Sequence, residues 1–318
     1  MKVIEHIEKA AGKTLISFEI IPPLKGQNIQ SIYDAVEPLL DFNPPFIDVT
    51  YHREEYNYRE VGNGLWEKKT IRKRPGTVGI CAAIQNRFKI DAVPHILCGG
   101  FSREETENFL IDLDFLDIDN VVALRGDAVK NETYFRPEPQ GNHYAVDLVR
   151  QIRDLNEGVY LDPELKNTSR TNFCIGVAGY PEKHQEAPNF DSDLHYLKEK
   201  VEAGAEYIIT QMFFDNQKYF HFVNKCREAG ITVPILPGLK PLVNRNQLSL
   251  LAHRFKVDLP DALVAEVWKA KDDAAVREIG IEWSTQQSRE LIQAGVPVLH
   301  YYSMGKPDNI KKIVENTL

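Results

Sequence analysis

TVGICAAIQNRF, residues 77–88, reads by periodicity as either a buried strand or a helix, and the choice sets the strand count of the chain. A strand there would leave the next run, AVPHILC at 92–98, without a crossover, because parallel neighbours need about a dozen or more connecting residues. We therefore read 77–88 as helix. Working outward, apolar β-rich runs fall at LISFEII (15–21), PFIDVTY (45–51), AVPHILC (92–98) and NVVALRG (120–126). They continue at NFCIGVAGY (172–180), YIITQMFF (207–214), VPILPGL (233–239) and VPVLHYYS (296–303). Helix-period segments lie between most of them, the alternation of repeated βα units around a parallel sheet. The runs are continuous rather than alternating, as in parallel strands covered on both faces. Eight such strands with no Pro/Gly/Ser-rich linker predict an α/β fold, a single (β/α)8 TIM barrel over residues 1–318 rather than an open doubly wound sheet.

The helices carry start and stop signals. Ser102 and Glu105 form a capping box ahead of ETENFLIDLDFL. Asp191 or Ser192 can cap DLHYLKEKVEAGA, with Leu194, Leu197 and Val201 on its buried stripe and Gly204 ending it. NQKYFHFVNKCREAG repeats the plan and ends on Gly230. Residues 53–66 and 127–144 read as surface loops.

The formal net charge of −8 supplies no field for nucleic acid, and the basic run KKTIRKRP at 68–75 reads as a solvated surface segment. Cys81, Cys98, Cys174 and Cys226 are far apart and show no metal-ligand or disulfide-framework spacing. MKVIEHIEKAAGK is charged and amphipathic, unlike a secretory leader, and no window approaches a membrane span. A soluble protein of a reducing compartment, the cytoplasm, is expected. GxGxxG, P-loop, HExxH and GxSxG signatures are absent, so any nucleotide cofactor must be held by barrel loops.

In such a barrel the chemistry gathers at the C-terminal ends of the strands. Glu19, Thr50, His95, Arg125–Asp127, Tyr180, Gln211 and Tyr302 fall at or just past those ends. Glu19 stands out as a lone carboxylate in an otherwise buried strand, where burial raises the pKa and makes a proton donor. On the helix near 191–203, Asp193, Tyr196 and Lys200 share a face at i, i+3 and i+7. A metal reading of His95, His184 and His300 finds no second ligand at metal spacing.

SFEIIPP (17–23), VVALRGD (121–127) and AGYPEKHQEAP (178–188) together resemble the methylenetetrahydrofolate reductase family, bacterial type. The likeness extends through VTY (49–51), PHILC (94–98), AGAEYIITQMFFD (203–215), PGLKP (237–241) and HYYSMGK (300–306). It implies an FAD-containing barrel that reduces 5,10-methylenetetrahydrofolate to 5-methyltetrahydrofolate with NADH or NADPH, supplying methyl groups to methionine synthesis. Hydride would pass through flavin N5 in two half-reactions on one flavin face.

The resemblance assigns roles residue by residue. Glu19 matches the general acid, and Asp127 the carboxylate between flavin and pterin that stabilises the cationic iminium. Arg125, Gly126, Tyr51 and His95 match flavin contacts, as do Tyr144 and Ala145, and Tyr180 and His184. Asp193 and Lys200 would meet the FAD ribose or diphosphate, and Thr50 the nicotinamide. Gln211 would contact pterin and nicotinamide in turn, and Gln247 the folate. The family's TLNR after the last strand is here SMGK, so Lys306 replaces an Arg that grips the glutamate tail and loses its bidentate fork. TQFFF reads Thr210-Gln-Met-Phe-Phe214. No C-terminal regulatory domain is expected, and the donor nucleotide and oligomeric state are left open. A pterin-dependent methyltransferase or a silent flavin- or folate-binding subunit would share part of this pattern.

Overall fold

Residues 77–88 are helical, and each apolar run forms the strand expected of it. The computed structural model describes every residue except 129–131, 133 and 304, and every side chain but those and residues 55 and 56. In chain order, α1 (Val3–Lys9) leads to β1 (Leu15–Ile20), α2 (Gln30–Val36), a 3-10 turn at Glu37–Phe42 and β2 (Phe46–Val49). A hairpin, β3 (Glu55–Gly62) and β4 (Leu65–Ile71), precedes α3 (Thr77–Phe88), β5 (Asp91–Leu97), α4 (Arg103–Asp114) and β6 (Asn120–Leu124). Next come α5 (Ala145–Asn156), β7 (Cys174–Gly179), α6 (Phe190–Glu202), β8 (Tyr207–Thr210) and α7 (Asn216–Glu228). The chain continues through β9 (Ile235–Leu236), β10 (Gly238–Leu239), α8 (Gln247–Phe255) and α9 (Asp261–Lys269). The last elements are α10 (Asp273–Gln293), β11 (Val298–Tyr302) and α11 (Pro307–Thr317).

Hydrogen-bonded neighbours run β10-β11-β1-β2-β5-β6-β7-β8-β9. β9 and β10 are one course interrupted at Pro237, which has no N–H to donate. β8 pairs in parallel with its first half and β11 with its second, so the sheet closes as the expected barrel.

Strand parity then sorts the side chains. Ile16, Phe18 and Ile20 of β1 pack outward against the helices, so Ser17 and Glu19 face the axis. The lower interior is apolar: Phe46, Val93, Val122, Ile209 and Val298 form one cluster with Val3. α1 seals that end, with Val3 N–H donating to Asn120 Oδ1 at 2.8 Å and Met1 and His6 both on Asp91. Gly176 of β7 has no room for a Cβ, which would run into the Tyr207 ring. A separate cluster, from Leu242 through α8, α9 and α10 with Met212 and Phe214, packs beyond the end of β8.

Two expectations need correcting. Residues 53–66 are not a loop: most of them form the antiparallel ribbon β3–β4. Asn63 and Gly64 turn it with φ of 52° and 70°, the geometry that an Asn-Gly pair supplies in a two-residue hairpin. Lys25 N–H donates to Lys73 O at 2.7 Å, and Arg74 donates to Pro22 O, so the ribbon's base is tied to the loop after β1. Residues 65–70, including the start of the basic run, are exposed as expected. The cap of α6 is Asn189 rather than Asp191 or Ser192; its Oδ1 accepts from Ser192 N–H at 2.8 Å, because the helix begins two residues earlier and buries part of Phe190.

The Ser102–Glu105 capping box forms, and Gly204 and Gly230 follow their helices with φ of 125° and 83°. The segment 127–144 holds no helix or strand among its described residues; 129–131 and 133 of that segment, and Met304 of SMGK, lie outside them. All four cysteines are buried thiols. Among the described residues, no helix is long and apolar enough to cross a membrane.

Candidate active site

Three neighbouring strands each bring one polar side chain to the upper barrel axis. Glu19 (β1), Asp48 (β2) and His95 (β5) are 9%, 0% and 7% exposed. A single imidazole nitrogen serves both carboxylates: His95 Nε2 lies 3.3 Å from Asp48 Oδ2 and 3.6 Å from Glu19 Oε2. The Glu19 carbonyl is fixed in turn, accepting from Ser303 N–H at 3.1 Å and Ser303 Oγ at 2.7 Å.

Burial dominates the electrostatics. It raises the Glu19 carboxyl from 4.5 to about 7; Asp48 adds to the rise, while His95 and Lys240 oppose it. Burial works against charging His95, but the Asp48 hydrogen bond and the two carboxylate charges outweigh it, and the imidazole titrates above its ordinary value. Burial also pushes Lys240, just past β10, down to about 8 against the pull of Glu19. Below this group, Ser17 Oγ lies 2.8 Å from His300 Nδ1, and burial lowers that histidine to about 4. Near neutral pH the site therefore holds a largely buried carboxyl that keeps its proton far more readily than a carboxyl in water.

A second cluster lies over β6, β7 and α6. Arg125 is clamped by Glu186, Nη1 to Oε2 at 2.6 Å and Nη2 to Oε1 at 2.8 Å, and sits 5.0 Å over the Phe135 ring. Burial disfavours its charge, but the Glu186 bond more than compensates; the same bond holds Glu186 below the usual carboxylate range. Gly126 has φ of 85°, a conformation strained for any residue with a Cβ, and so turns the exposed Asp127 outward from the strand. Asp127 acts by charge on both Tyr180 and Arg125.

Tyr180 and His184 pack edge to face at 4.7 Å. His184 N–H donates to Asp193 Oδ2 at 2.9 Å, and its imidazole is lowered by burial and then by Arg125. Lys200 donates to Ala178 O at 2.7 Å, and burial brings its ammonium down to about 8. Asp193 and Lys200 are thus directed inward, whereas Tyr196, read from sequence onto the same helix face, stays exposed. Tyr144 and Ala145 open α5; Tyr144 is exposed and its N–H donates to Asp147 Oδ2 at 3.0 Å.

The remaining candidates ring the mouth. Thr50 N–H donates to Ile20 O at 3.1 Å, and Tyr51 packs against Phe101 with centroids 5.1 Å apart. Tyr51 also lines a cavity of about 770 Å³ with Gln27, Arg72 and Glu105. Gln211 N–H donates to Gly179 O at 2.8 Å, while its Oε1 accepts from Met212 N–H. Gln247 is turned to local work: its Oε1 accepts from Val243 N–H at 2.7 Å. Lys306 is exposed ahead of α11.

Asp48, Lys240 and Glu186 were not singled out from sequence. Asp48 could have been, since PFIDVTY buries a lone carboxylate in an apolar run just as SFEII does. No local signal pairs Glu186 with Arg125, 61 residues away.

A family model described as methylenetetrahydrofolate reductase matches residues 2–317. A rice protein named as a probable methylenetetrahydrofolate reductase (NADH) is 31% identical over 99% of this chain and 50% of its own length. The 5,10-methylenetetrahydrofolate reductase of Escherichia coli is 30% identical over 96% of this chain and 90% of its own. The chain thus spans about half of the rice relative and nearly all of the bacterial one. A solved Clostridium thermocellum structure, described as an uncharacterized protein that binds two copies of 5-methyl-5,6,7,8-tetrahydrofolic acid, superposes with TM-score 0.59 at 13% identity. It covers 99% of this chain and 98% of that one, a likeness of fold.

Proposed function

The chain belongs to the methylenetetrahydrofolate reductase family, and on that premise we propose that it reduces 5,10-methylenetetrahydrofolate to 5-methyltetrahydrofolate with NADH or NADPH through bound FAD. The observation that carries the reading is Glu19: a carboxyl at the barrel axis with its pKa raised to about 7 by burial. Opening the imidazolidine ring of the substrate requires protonating an amine nitrogen, and a general acid works best when its pKa lies near the operating pH. Asp127, on the strand-end loop beside Tyr180, is the carboxylate available to the cationic iminium that ring opening leaves.

The second cluster fits the flavin cofactor. Lys200 is a buried ammonium that makes one hydrogen bond among the described residues, to Ala178 O, and an ammonium has three donors. With Arg125, His184 and the Gly126 backbone it forms a donor set suited to a diphosphate, and Asp193 to a ribose hydroxyl. When bound there, FAD supplies the hydride relay between nicotinamide and folate. Tyr180 and His184 pack as a wall of the same cluster, with Tyr144 and Ala145 at the start of α5 as further contacts. Tyr51, Thr50 and Gln211 offer polar groups to the two substrates in turn, and Gln247 and Lys306 to the folate body and tail. Residues 1–318 would run both half-reactions in one cytoplasmic barrel, and the product would serve methyl transfer to methionine.

The test is the visible spectrum of the purified protein under anaerobic conditions. A flavin band that bleaches with NADH or NADPH and returns with methylenetetrahydrofolate is the expected result. A colourless protein, or reduced flavin that the folate leaves unchanged, would overturn the reading. Glu19→Gln should leave reduction by the nicotinamide intact while abolishing reoxidation by the folate.

A further inference from the structure

The ribbon β3–β4 stands apart from the barrel sheet, and its two strands pair only with each other. Leu65–Thr70 of β4 are all exposed, and Tyr58, Val61, Leu65 and Trp66 are each more than half exposed. Among the described residues, none of 57–70 joins an apolar cluster of the barrel. A two-stranded hairpin with water on both faces is at best marginally stable. The backbone ties at its base hold the end nearest the barrel and leave the rest to be covered by something else.

The two outer edges differ. β3 carries one extra residue, Val61, because Glu60 pairs with Trp66 and Gly62 with Leu65. A bulge of that kind twists an edge away from further pairing. β4 runs in regular register from Leu65 to Ile71, and among the described residues no backbone hydrogen bond is made along its outer edge. We infer that this protein self-associates through the outer edge of β4, where a second copy of the chain adds its own β4 antiparallel, across a two-fold axis at Lys68.

The occupant follows from the order of charges in LWEKKTI. Facing residues of paired strands lie on the same face of the sheet, so a two-fold axis perpendicular to it must pass between one residue and its own copy. With Lys68 on the axis, Glu67 faces the partner's Lys69 and Lys69 faces the partner's Glu67. On the same face Leu65 meets the partner's Ile71, again in both directions. Opposite charges and apolar side chains placed directly across a sheet both stabilise the pairing. On the other face Trp66 meets the partner's Thr70, and Lys68 lies diagonal to the partner's Trp66, within reach of its ring. The one like-charged contact is Lys68 with its own copy, and both side chains are long enough to diverge into water. An axis at Glu67 or at Lys69 sets that residue against itself and pairs no opposite charges, so one register alone is self-complementary.

The resulting four-stranded sheet joins the mouths of two barrels. The ribbon leaves the chain just past Thr50 and Tyr51 and returns through Arg72, which lines the cavity of about 770 Å³ together with Tyr51. This association depends on the ribbon alone and not on the reaction assigned to the barrel.

The test is the mass of the 318-residue protein by sedimentation velocity at micromolar concentration. The wild type should sediment as at least two chains. Lys69→Glu turns both ion pairs into like-charge contacts while facing only Asn57 within its own ribbon, and Glu67→Lys does the same with the opposite sign. Each variant should weaken the pairing about tenfold or more. Mixed in equal amounts, the two variants present opposite charges to each other at both positions and should pair where neither pairs with itself. A variant whose ribbon had merely unfolded does not regain pairing in this way, and circular dichroism checks that both are folded. A wild type that sediments as a single chain overturns the inference. So does an oligomer that both variants leave intact, since its contact lies on another surface, and so does a mixture of folded variants that stays unpaired.

Discussion

Glu19→Gln should stabilise the protein, and by an amount that depends on pH. The wild-type carboxyl titrates at about 7 when folded against 4.5 when free. Between those values the unfolded chain has released the proton and the folded chain still holds it, so stability falls as pH rises through that window and levels off above it. The separation corresponds to about 3 kcal/mol at 1.36 kcal/mol per pH unit. Gln has nearly the same shape and no proton to lose, so its stability curve lacks this fall. Urea unfolding of the two proteins at matched flavin content, from pH 4 to 9, should therefore show curves that meet near pH 4. They should separate by about 3 kcal/mol in favour of Gln above pH 8, or roughly 5 °C in Tm. Parallel curves would refute the reasoning, because they would mean that Glu19 ionises in the fold as easily as in water. On the proposed function, an acid that weakens the fold it works in is a stability–activity trade-off located in one side chain.

Three further outcomes are expected. Gly176→Ala forces a Cβ into the Tyr207 ring inside the barrel and should cost about 1–3 kcal/mol by chemical denaturation, an overpacking loss. Lys200→Met removes a buried ammonium whose charge already costs desolvation; stability should change little, while FAD affinity falls at least about tenfold in a fluorescence titration. Glu186→Gln takes away the carboxylate that now clamps Arg125 and should tighten FAD binding severalfold, with weaker binding arguing that the clamp positions the guanidinium instead.

Much of the frame is legible in the sequence because it is local. A run such as NVVALRG announces a buried strand, the Ser102–Glu105 box and Gly204 mark helix ends, and the count of apolar runs implies a closed barrel. Glu19 is legible for the same reason, as a charge out of place in its own strand. The Asn63-Gly64 hairpin is equally local, but its strands mix exposed apolar side chains such as Val61, Leu65 and Trp66 with charged ones, so no continuous apolar run marks them.

What tertiary structure alone decided is the company each residue keeps. Continuous apolar strands hide their parity, so the sequence does not say which alternate set faces the axis; packing against the helices settles it for Ser17 and Glu19. Arg125 finds Glu186 across 61 residues, and His95 finds Asp48 across 47. The sequence by itself determined that a buried acid stands at the end of the first strand of a barrel. Only the parallel pairing of β1 with β2 and of β2 with β5 placed an imidazole and a second carboxylate beside it. A pKa depends on the charges and the solvent within a few ångströms of the group, and distance along the chain does not measure that.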